Sequence, residues 1–160
     1  MLMNILFKIV TSLLFAGVCN SQLISPIFGE DAFKNNILYN IINAKKSIKA
    51  TIYKFNDKDI SNAFKNVAKN GVKFDLVCDK EAISECSKFD NFGSVHEFSM
   101  VNYTKLHAKS ILIDDEILIL GSFNFDTSGF SENMEIGIIT KDDYIIQNFN
   151  YFIEKLKINI

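Results

Sequence analysis

The chain has 160 residues, of which 48% are hydrophobic and 22% are charged, and this composition excludes a mainly disordered protein. All 17 basic residues are lysines and 19 residues are acidic, so the formal net charge of −2 does not favour a strongly basic nucleic-acid-binding protein. A chain of this length forms one core without room for a duplicated architecture. A site that needs two copies of a motif must therefore take the second copy from another chain.

The first 21 residues are typical of an export signal. Lys8 precedes an uncharged apolar run over residues 9–18, and small residues follow at 19–21. We predict cleavage after Ser21 and a periplasmic or secreted location. An uncleaved membrane anchor is disfavoured because the apolar run is too short to span a bilayer of roughly 30 Å. A lipoprotein attached at Cys19 is disfavoured because the residues before it lack the usual pattern.

Residues 22–160 are predicted to form one domain, because no linker or low-complexity stretch interrupts them. Periodicity first predicts a helix with Phe33, Leu38, Ile41 and Ile42 near one face, followed by a strand over 48–55. A second helix is predicted with Ile60, Ala63, Phe64, Val67 and Ala68 on one face. This helix is predicted to stop at Asn70-Gly71, and a strand over 72–78 follows. Strands over 110–113, 117–120 and 134–139 follow, and a closing helix over 142–157 places Ile145, Ile146, Phe149, Phe152, Ile153 and Leu156 towards the core. This order predicts a layered α/β fold with a mixed β-sheet flanked by helices.

The two cysteines of this domain, Cys78 and Cys86, permit two interpretations. In the oxidising compartment that export implies, they can form one disulfide across a short loop. Cys78 also lies in the apolar run 72–78, where a buried free thiol is the common alternative. The sequence leaves both open.

The residues suited to chemistry concentrate between positions 105 and 135. His107 and Lys109 are two apart at the beginning of a predicted strand, so their side chains face the same way. Ser122 and Asn124 are also two apart, directly after the next strand. A histidine, a fixed cation and two neutral polar groups that converge on one point suit a phosphoryl group.

The combined pattern resembles the HKD signature of the phospholipase D superfamily. The matching residues are His107-x-Lys109-x4-Asp114, then Gly121-Ser122-x-Asn124, then Asn133-x-Glu135. The pattern is most similar to the short, single-motif members, the secreted bacterial endonucleases, and residues 45–80 resemble the family's lead-in to the motif. The resemblance implies a phospholipase D-like fold and a phosphodiesterase.

The resemblance also implies a role for each polar residue. His107 is expected to attack phosphorus and form a phosphohistidine, while His107 of a second subunit in a homodimer protonates the leaving oxygen. Lys109 and Asn124 are expected to bind the non-bridging oxygens, with Ser122 as a further donor.

Two acidic residues complete the candidate site. Glu135 is expected to accept a hydrogen bond from the far nitrogen of the His107 ring and so fix its tautomer. Asp114 matches the motif's aspartate, but it lies several residues from His107 along the strand, so we interpret it as structural support. Two separated histidines without HExxH or paired CxxC predict no metal site and no other cofactor.

Other residues have an ordinary structural interpretation beside a functional one. His96 has no motif around it and is predicted to be a hydrogen-bonded surface residue. A lysine group at 45, 46 and 49 can touch a polyanion, but helix-end lysines usually face solvent. Tyr53 and Phe55 can stack on bases or belong to the core.

Three functions remain at this stage. The favoured one is an endonuclease acting on DNA and/or RNA; a lipid-cleaving phospholipase D and a nucleic-acid-binding module with a dormant site are the alternatives. The net negative charge argues weakly against a polyanionic substrate, although a local groove lined by lysines would offset this charge.

Overall fold

A computed structural model gives the structure of residues 23–28, 30–131 and 133–158. The predicted export signal, residues 1–21, lies outside these ranges. In chain order the elements are β1 (Leu23–Phe28), α1 (Glu30–Ile42), β2 (Ser47–Ile52), α2 (Lys58–Lys69), β3 (Lys73–Cys78), α3 (Ile83–Cys86), a 3-10 helix (Ser87–Phe92), β4 (Gly93–Glu97), β5 (Lys109–Ile113), β6 (Ile117–Gly121), α4 (Thr127–Ser131), β7 (Ile136–Thr140) and α5 (Asp143–Ile158). None of the helices in the described ranges combines the length and apolar character needed to cross a membrane.

The strands form one mixed sheet, as predicted. Seven described strands lie in the order β1-β7-β6-β5-β2-β3-β4. Neighbours β2, β3 and β4 are parallel, whereas β5 runs antiparallel to β2 and continues through antiparallel β6, β7 and β1. The carboxyl ends of β2, β3 and β6 therefore meet the amino ends of β5 and β7 at one end of the sheet.

Each face of the sheet has its own hydrophobic core. One core joins α1, α2 and the 3-10 helix to the sheet, and its larger buried members include Ile37, Ile41, Ile48, Ile52, Phe64, Phe74, Phe89, Ile111 and Phe123. The other joins α5 to the opposite face through Val77, Leu106, Leu112, Leu118, Ile146, Phe149, Ile153 and Leu156. Helices thus cover both faces, which confirms the predicted layered α/β class.

Helix α2 shows how local sequence sets these layers. Asp57 caps its first turn by accepting hydrogen bonds from the backbone N–H groups of Asp59 and Ile60, each at 3.0 Å. The predicted stop is confirmed, because the helix ends before Asn70 and Gly71 has φ of +89°. This left-handed residue lets the chain turn directly into β3.

Two predicted core residues are exposed instead. Ile42 is 56% exposed and Phe152 is 39% exposed. Each lies about 100° around its helix from a fully buried neighbour, Ile41 and Ile153 respectively, so it falls on the flank of the buried stripe.

Strand boundaries also differ from those predicted. The strand predicted over 48–55 ends at Ile52, and Phe55 is a buried core residue that forms an isolated bridge with Phe125. The strand predicted from 134 begins at Ile136. Sequence analysis missed β1, which contains Pro26 and pairs only at the sheet edge, and β4, whose sequence GSVHE has little apolar alternation.

The structure also decides the state of the cysteines. Cys78 and Cys86 form a disulfide, and both residues are fully buried. The bond connects the end of β3 to the end of α3 and closes a short loop immediately beside the sheet end described above.

Candidate active site

The motif residues gather at that one end of the sheet. Lys109, the first residue of β5, pairs with Gly121, the last residue of β6, while Gly121 also pairs with Gly137 of β7. Strand register alone therefore brings Lys109, Ser122 and Glu135 close together, although they are far apart in the sequence.

His107 and Lys109 meet, as the sequence predicts. His107 lies in the loop two residues before β5 and its side chain is exposed, whereas Lys109 is only 6% exposed. The ammonium nitrogen of Lys109 lies 2.8 Å from Nδ1 and 3.0 Å from Nε2 of the imidazole. An imidazole and an ammonium group thus share one small volume.

The surroundings favour the neutral form of His107. Desolvation lowers the pKa of the imidazole below its usual value, and the positive charges of Lys109 and Lys105 lower it further, against a smaller opposing effect of Asp79. A neutral imidazole has a free lone pair and can act as a nucleophile near pH 7.

Burial also acts on the lysine of the motif. Desolvation lowers the pKa of Lys109, and the nearby carboxylates of Glu135 and Asp126 counteract this effect. The two carboxylates therefore help to hold a positive charge on a buried side chain.

Tyr53 organises positive charge around His107. Its ring centroid lies 4.7 Å from that of His107. Three ammonium groups surround the same tyrosine ring, those of Lys109 at 5.3 Å, Lys105 at 5.6 Å and Lys54 at 5.8 Å. Cation–π attraction compensates part of their mutual repulsion. The cluster is the local lysine-lined surface that the overall composition does not reveal.

Glu135 is engaged differently from the prediction. The hydroxyl of Ser122 donates a hydrogen bond to Glu135, and the backbone N–H of Ile136 donates to that hydroxyl at 3.2 Å. The predicted Glu135–His107 hydrogen bond is not formed in the described single chain, because the register of β6 and β7 places Ser122 beside Glu135 and the ring lies against Lys109. The orienting role of Glu135 stays a prediction.

Gly121, the last residue of β6, has no room for a side chain, and the loop that follows it positions Asn124. A Cβ atom at Gly121 would lie 2.5 Å from the ring of Phe123 and 2.8 Å from the carbonyl oxygen of Ile136. Asn124 is half-buried, and its Oδ1 is a buried atom without a hydrogen-bond partner in the described part of the chain. This oxygen is an acceptor and retains capacity for a hydrogen-bond donor, whereas a phosphate oxygen would have to be bound through the Nδ2 donor of the same amide.

Asp114 lies at the opposite end of β5 from His107. Its carboxylate accepts hydrogen bonds from the backbone N–H groups of Lys45, Lys46 and Ser47 at 2.7 to 2.9 Å, and its φ is +56°. Burial raises its pKa, but these three donors and the charge of Lys46 outweigh that effect and lower it overall. These contacts match the interpretation of Asp114 as structural support, which stays a prediction.

The lysine group at 45, 46 and 49 lies at this same distant end. Lys49 pairs with Asp115 at 2.8 Å, and Lys46 lies 3.5 Å from Glu116. These contacts match the interpretation of these lysines as surface residues. His96 is half-buried in β4, with Nε2 3.8 Å from a carboxylate oxygen of Asp75.

Sequence analysis missed Asp79 as part of the site. It is 1% exposed, and its carboxylate accepts hydrogen bonds from the backbone N–H groups of Leu106 at 2.7 Å and Glu81 at 3.1 Å. It thereby fixes the peptide immediately before His107. The available signal was an acidic residue directly after the buried strand β3.

The described ranges contain no group of three or more histidine, cysteine, aspartate or glutamate side chains arranged to hold a metal ion. The chemistry that the site can perform with its own residues is attack by an imidazole on an anion neutralised by lysines.

Comparison with known proteins places these features in context. Residues 37–157 match the family described as cardiolipin synthase, PLD-like domain. The zebrafish (Danio rerio) protein named mitochondrial cardiolipin hydrolase is 25% identical over 126 residues, which are 76% of this chain and 56% of that protein. The chain thus spans little more than half of this relative.

Solved structures show the same fold. NucT from Helicobacter pylori superposes with a TM-score of 0.75 at 24% identity, and the alignment covers 84% of this chain and 95% of NucT. Nuc from Salmonella typhimurium, described as a phospholipase D family member, gives a TM-score of 0.71 at 22% identity with the same coverage.

Proposed function

The chain belongs to the phospholipase D superfamily, and on this premise we propose that it is an exported phosphodiesterase, an endonuclease that hydrolyses DNA and/or RNA without a metal ion. The observation that carries the proposal is the contact between the exposed imidazole of His107 and the buried ammonium group of Lys109, with Nζ 2.8 Å from Nδ1.

The reaction would proceed in two displacements. Nε2 or Nδ1 of neutral His107 attacks phosphorus, a P–N bond forms, and the P–O bond to the leaving group breaks. A second, protonated imidazole gives its proton to the leaving oxygen. The same imidazole then takes a proton from water, whose oxygen attacks phosphorus and releases His107.

Fixed side chains would meet the charge of the phosphate. Lys109 supplies a cation at the proposed nucleophile, and the Nδ2 group of Asn124 supplies a hydrogen-bond donor for the non-bridging oxygens. Ser122 would add a second donor by turning its hydroxyl from Glu135 to the phosphate. Lys54 and Lys105 add positive charge around the ring of Tyr53. Such an arrangement needs no divalent ion for charge neutralisation.

The second imidazole would come from a second copy of the chain. In the described residues the other histidine, His96, lies in β4 beside Asp75 rather than with the motif. Met134 and Ile136 flank Glu135 at the site and are 91% and 55% exposed. Exposed apolar residues beside the site support a twofold interface that joins two His107 side chains.

The subunit proposal can be tested by mixing. Wild-type subunits are exchanged with an excess of His107→Ala subunits, and activity should fall well below the wild-type mole fraction as wild-type homodimers are diluted. Activity proportional to the wild-type fraction, or full activity of a monomer in sedimentation, contradicts a shared site.

Similarity to NucT and Nuc supports a nucleic-acid substrate. The alignments cover 95% of each of these two proteins, so this chain contains nearly all of the fold that they have. The sequence also resembles the short single-motif members of the family. A lipid phosphodiesterase is the second candidate, because the matching family and the zebrafish relative are named for cardiolipin.

One experiment separates these candidates. The purified protein is incubated with DNA, RNA and cardiolipin vesicles, each with and without EDTA. Cleavage of DNA or RNA that survives EDTA is expected. Cleavage of lipid alone supports the second candidate, and cleavage abolished by EDTA and restored by a divalent ion contradicts the metal-free mechanism.

A further inference from the structure

An apolar pocket opens beside His107, between the loop of residues 98–108 and helix α5. Its volume is about 370 Å³. Leu106 and Leu156 belong to the core beneath it, and Phe98, Met100, Tyr103 and Phe152 also line it. Tyr103 is 65% exposed and Phe152 is 39% exposed, so two aromatic rings remain accessible at the pocket.

The pocket adjoins His107, the proposed nucleophile. His107 itself lines it, and the same loop carries Tyr103, Leu106 and His107. A group that enters the pocket is therefore attached close to the phosphorus atom that His107 would attack. The shared loop thus favours a ligand that is part of the substrate over a ligand that is unconnected with the reaction.

The charge of the pocket suits an anionic substrate. Lys105 and Lys155 line it, and no acidic side chain belongs to its described lining. Lys105 also lies over the ring of Tyr53, and Lys155 lies over the ring of Tyr151. The pocket thus combines an apolar interior and aromatic rings with two cations.

We propose that this pocket binds the nucleobase of a nucleotide that adjoins the scissile phosphate, while Lys105 and Lys155 attract the neighbouring phosphates. Aromatic side chains next to lysines are the arrangement that binds unpaired bases and their backbone. The volume lies near the lower limit of small-molecule pockets, roughly 300–1,000 Å³, which suits one ring system better than the acyl chains of a phospholipid. This inference rests on the proposed nuclease function.

The proposal has a geometric consequence. A base in the pocket contacts the loop on one side and α5 on the other, so it cannot remain stacked in a duplex at the same time. The base next to the cleaved bond must therefore be unpaired when it binds.

The test compares two oligomers with the same phosphates. One is oligothymidylate, and the other is an abasic oligomer of equal length with tetrahydrofuran in place of each nucleoside. The wild-type protein should show a KM about tenfold lower for oligothymidylate. Phe152→Leu and Tyr103→Leu should each reduce this discrimination, and the double variant should bring the KM ratio close to one.

Tyr144→Leu is the matched control. Tyr144 lies on the same helix, is 76% exposed and does not line the pocket, so this variant should keep the wild-type KM ratio. Circular dichroism of all variants checks that the fold is retained.

The other outcomes contradict the proposal in different ways. Equal KM values for both oligomers in the wild-type protein, or an unchanged ratio in the double variant, overturn the base pocket but leave the nuclease function intact. Pocket variants that lose cleavage of cardiolipin vesicles while keeping the KM ratio identify an acyl chain as the occupant. A wild-type protein that cleaves neither of these oligomers nor oligouridylate overturns the nuclease function and this inference together.

Discussion

The ammonium nitrogen of Lys109 lies 2.8 Å from Nδ1 of His107. An ammonium group only donates hydrogen bonds, so this contact favours an imidazole with a lone pair on a ring nitrogen. The lowered pKa of His107 favours the same neutral form. Lys109, which we propose binds the phosphate, thus also favours the neutral form of the proposed nucleophile.

Replacement of the nucleophile tests this assignment. His107→Ala should reduce turnover by roughly 10³-fold or more. The side chain is exposed, so the free energy of unfolding should change little. His96→Ala is the control and should keep most of the activity. A well-folded His107→Ala protein with wild-type turnover would show that the imidazole is not the nucleophile.

The charge of Lys105 should be visible in the pH profile. Lys105 lowers the pKa of His107, so Lys105→Met should raise that pKa. The proposed mechanism uses neutral His107, so the acid limb of kcat/KM should move to higher pH. Lys65→Met, on the exposed side of α2, is the control and should leave the midpoint unchanged. A shift to lower pH would contradict the assigned charge effect.

Asp114 should affect stability and not chemistry. Asp114→Asn weakens three hydrogen bonds from backbone N–H groups, and we expect a loss of about 1–2 kcal/mol in the free energy of unfolding at pH 7. The folded pKa of Asp114 is lowered, so its contribution is complete above the unfolded value near 3.9 and disappears as pH falls through the folded value.

Urea unfolding at pH 7 and at pH 3 measures this dependence, and the difference between wild type and Asp114→Asn should shrink at the lower pH. Turnover per folded molecule should remain near that of the wild type. A large decrease in kcat with unchanged stability would place Asp114 in the chemistry instead.

The disulfide should contribute measurably to stability. Cys78 and Cys86 are separated by 8 positions, and closing a loop of this size in the unfolded chain corresponds to about 2–3 kcal/mol. The double variant Cys78→Ala, Cys86→Ala should lose about this amount in urea unfolding. Added reductant should lower the Tm of the wild-type protein and leave the Tm of the double variant unchanged. Equal sensitivity of both proteins would show that the bond is not formed in solution.

Strong periodicity made much of the fold predictable from the sequence. Helix α2 combines an apolar stripe, a capping aspartate and Asn70-Gly71, so its face and its end follow from local rules. Strand β1 did not follow, because Pro26 opposes a strand unless the strand lies at a sheet edge, and edge position is a property of the assembled sheet.

The candidate site was predictable where short spacing along the chain decides it. His107 and Lys109 are two residues apart at the beginning of β5, and their side chains meet although His107 precedes the strand itself. The partner of Glu135 depends on the register of β6 against β7. The lysines around Tyr53 come from two distant segments, Lys54 beside the ring and Lys105 and Lys109 around the start of β5. Such contacts between distant segments need the folded chain.

Asp79 has a consequence for the interpretation of mutational screens. Its carboxylate holds the N–H of Leu106 and directly follows Cys78, so the backbone that presents His107 is tethered to the disulfide-closed loop. Substitutions at Asp79 or at either cysteine can then abolish activity by displacing His107, although these residues do not contact the substrate. The set of positions where substitution abolishes activity would therefore be larger than the set of residues that contact the phosphate.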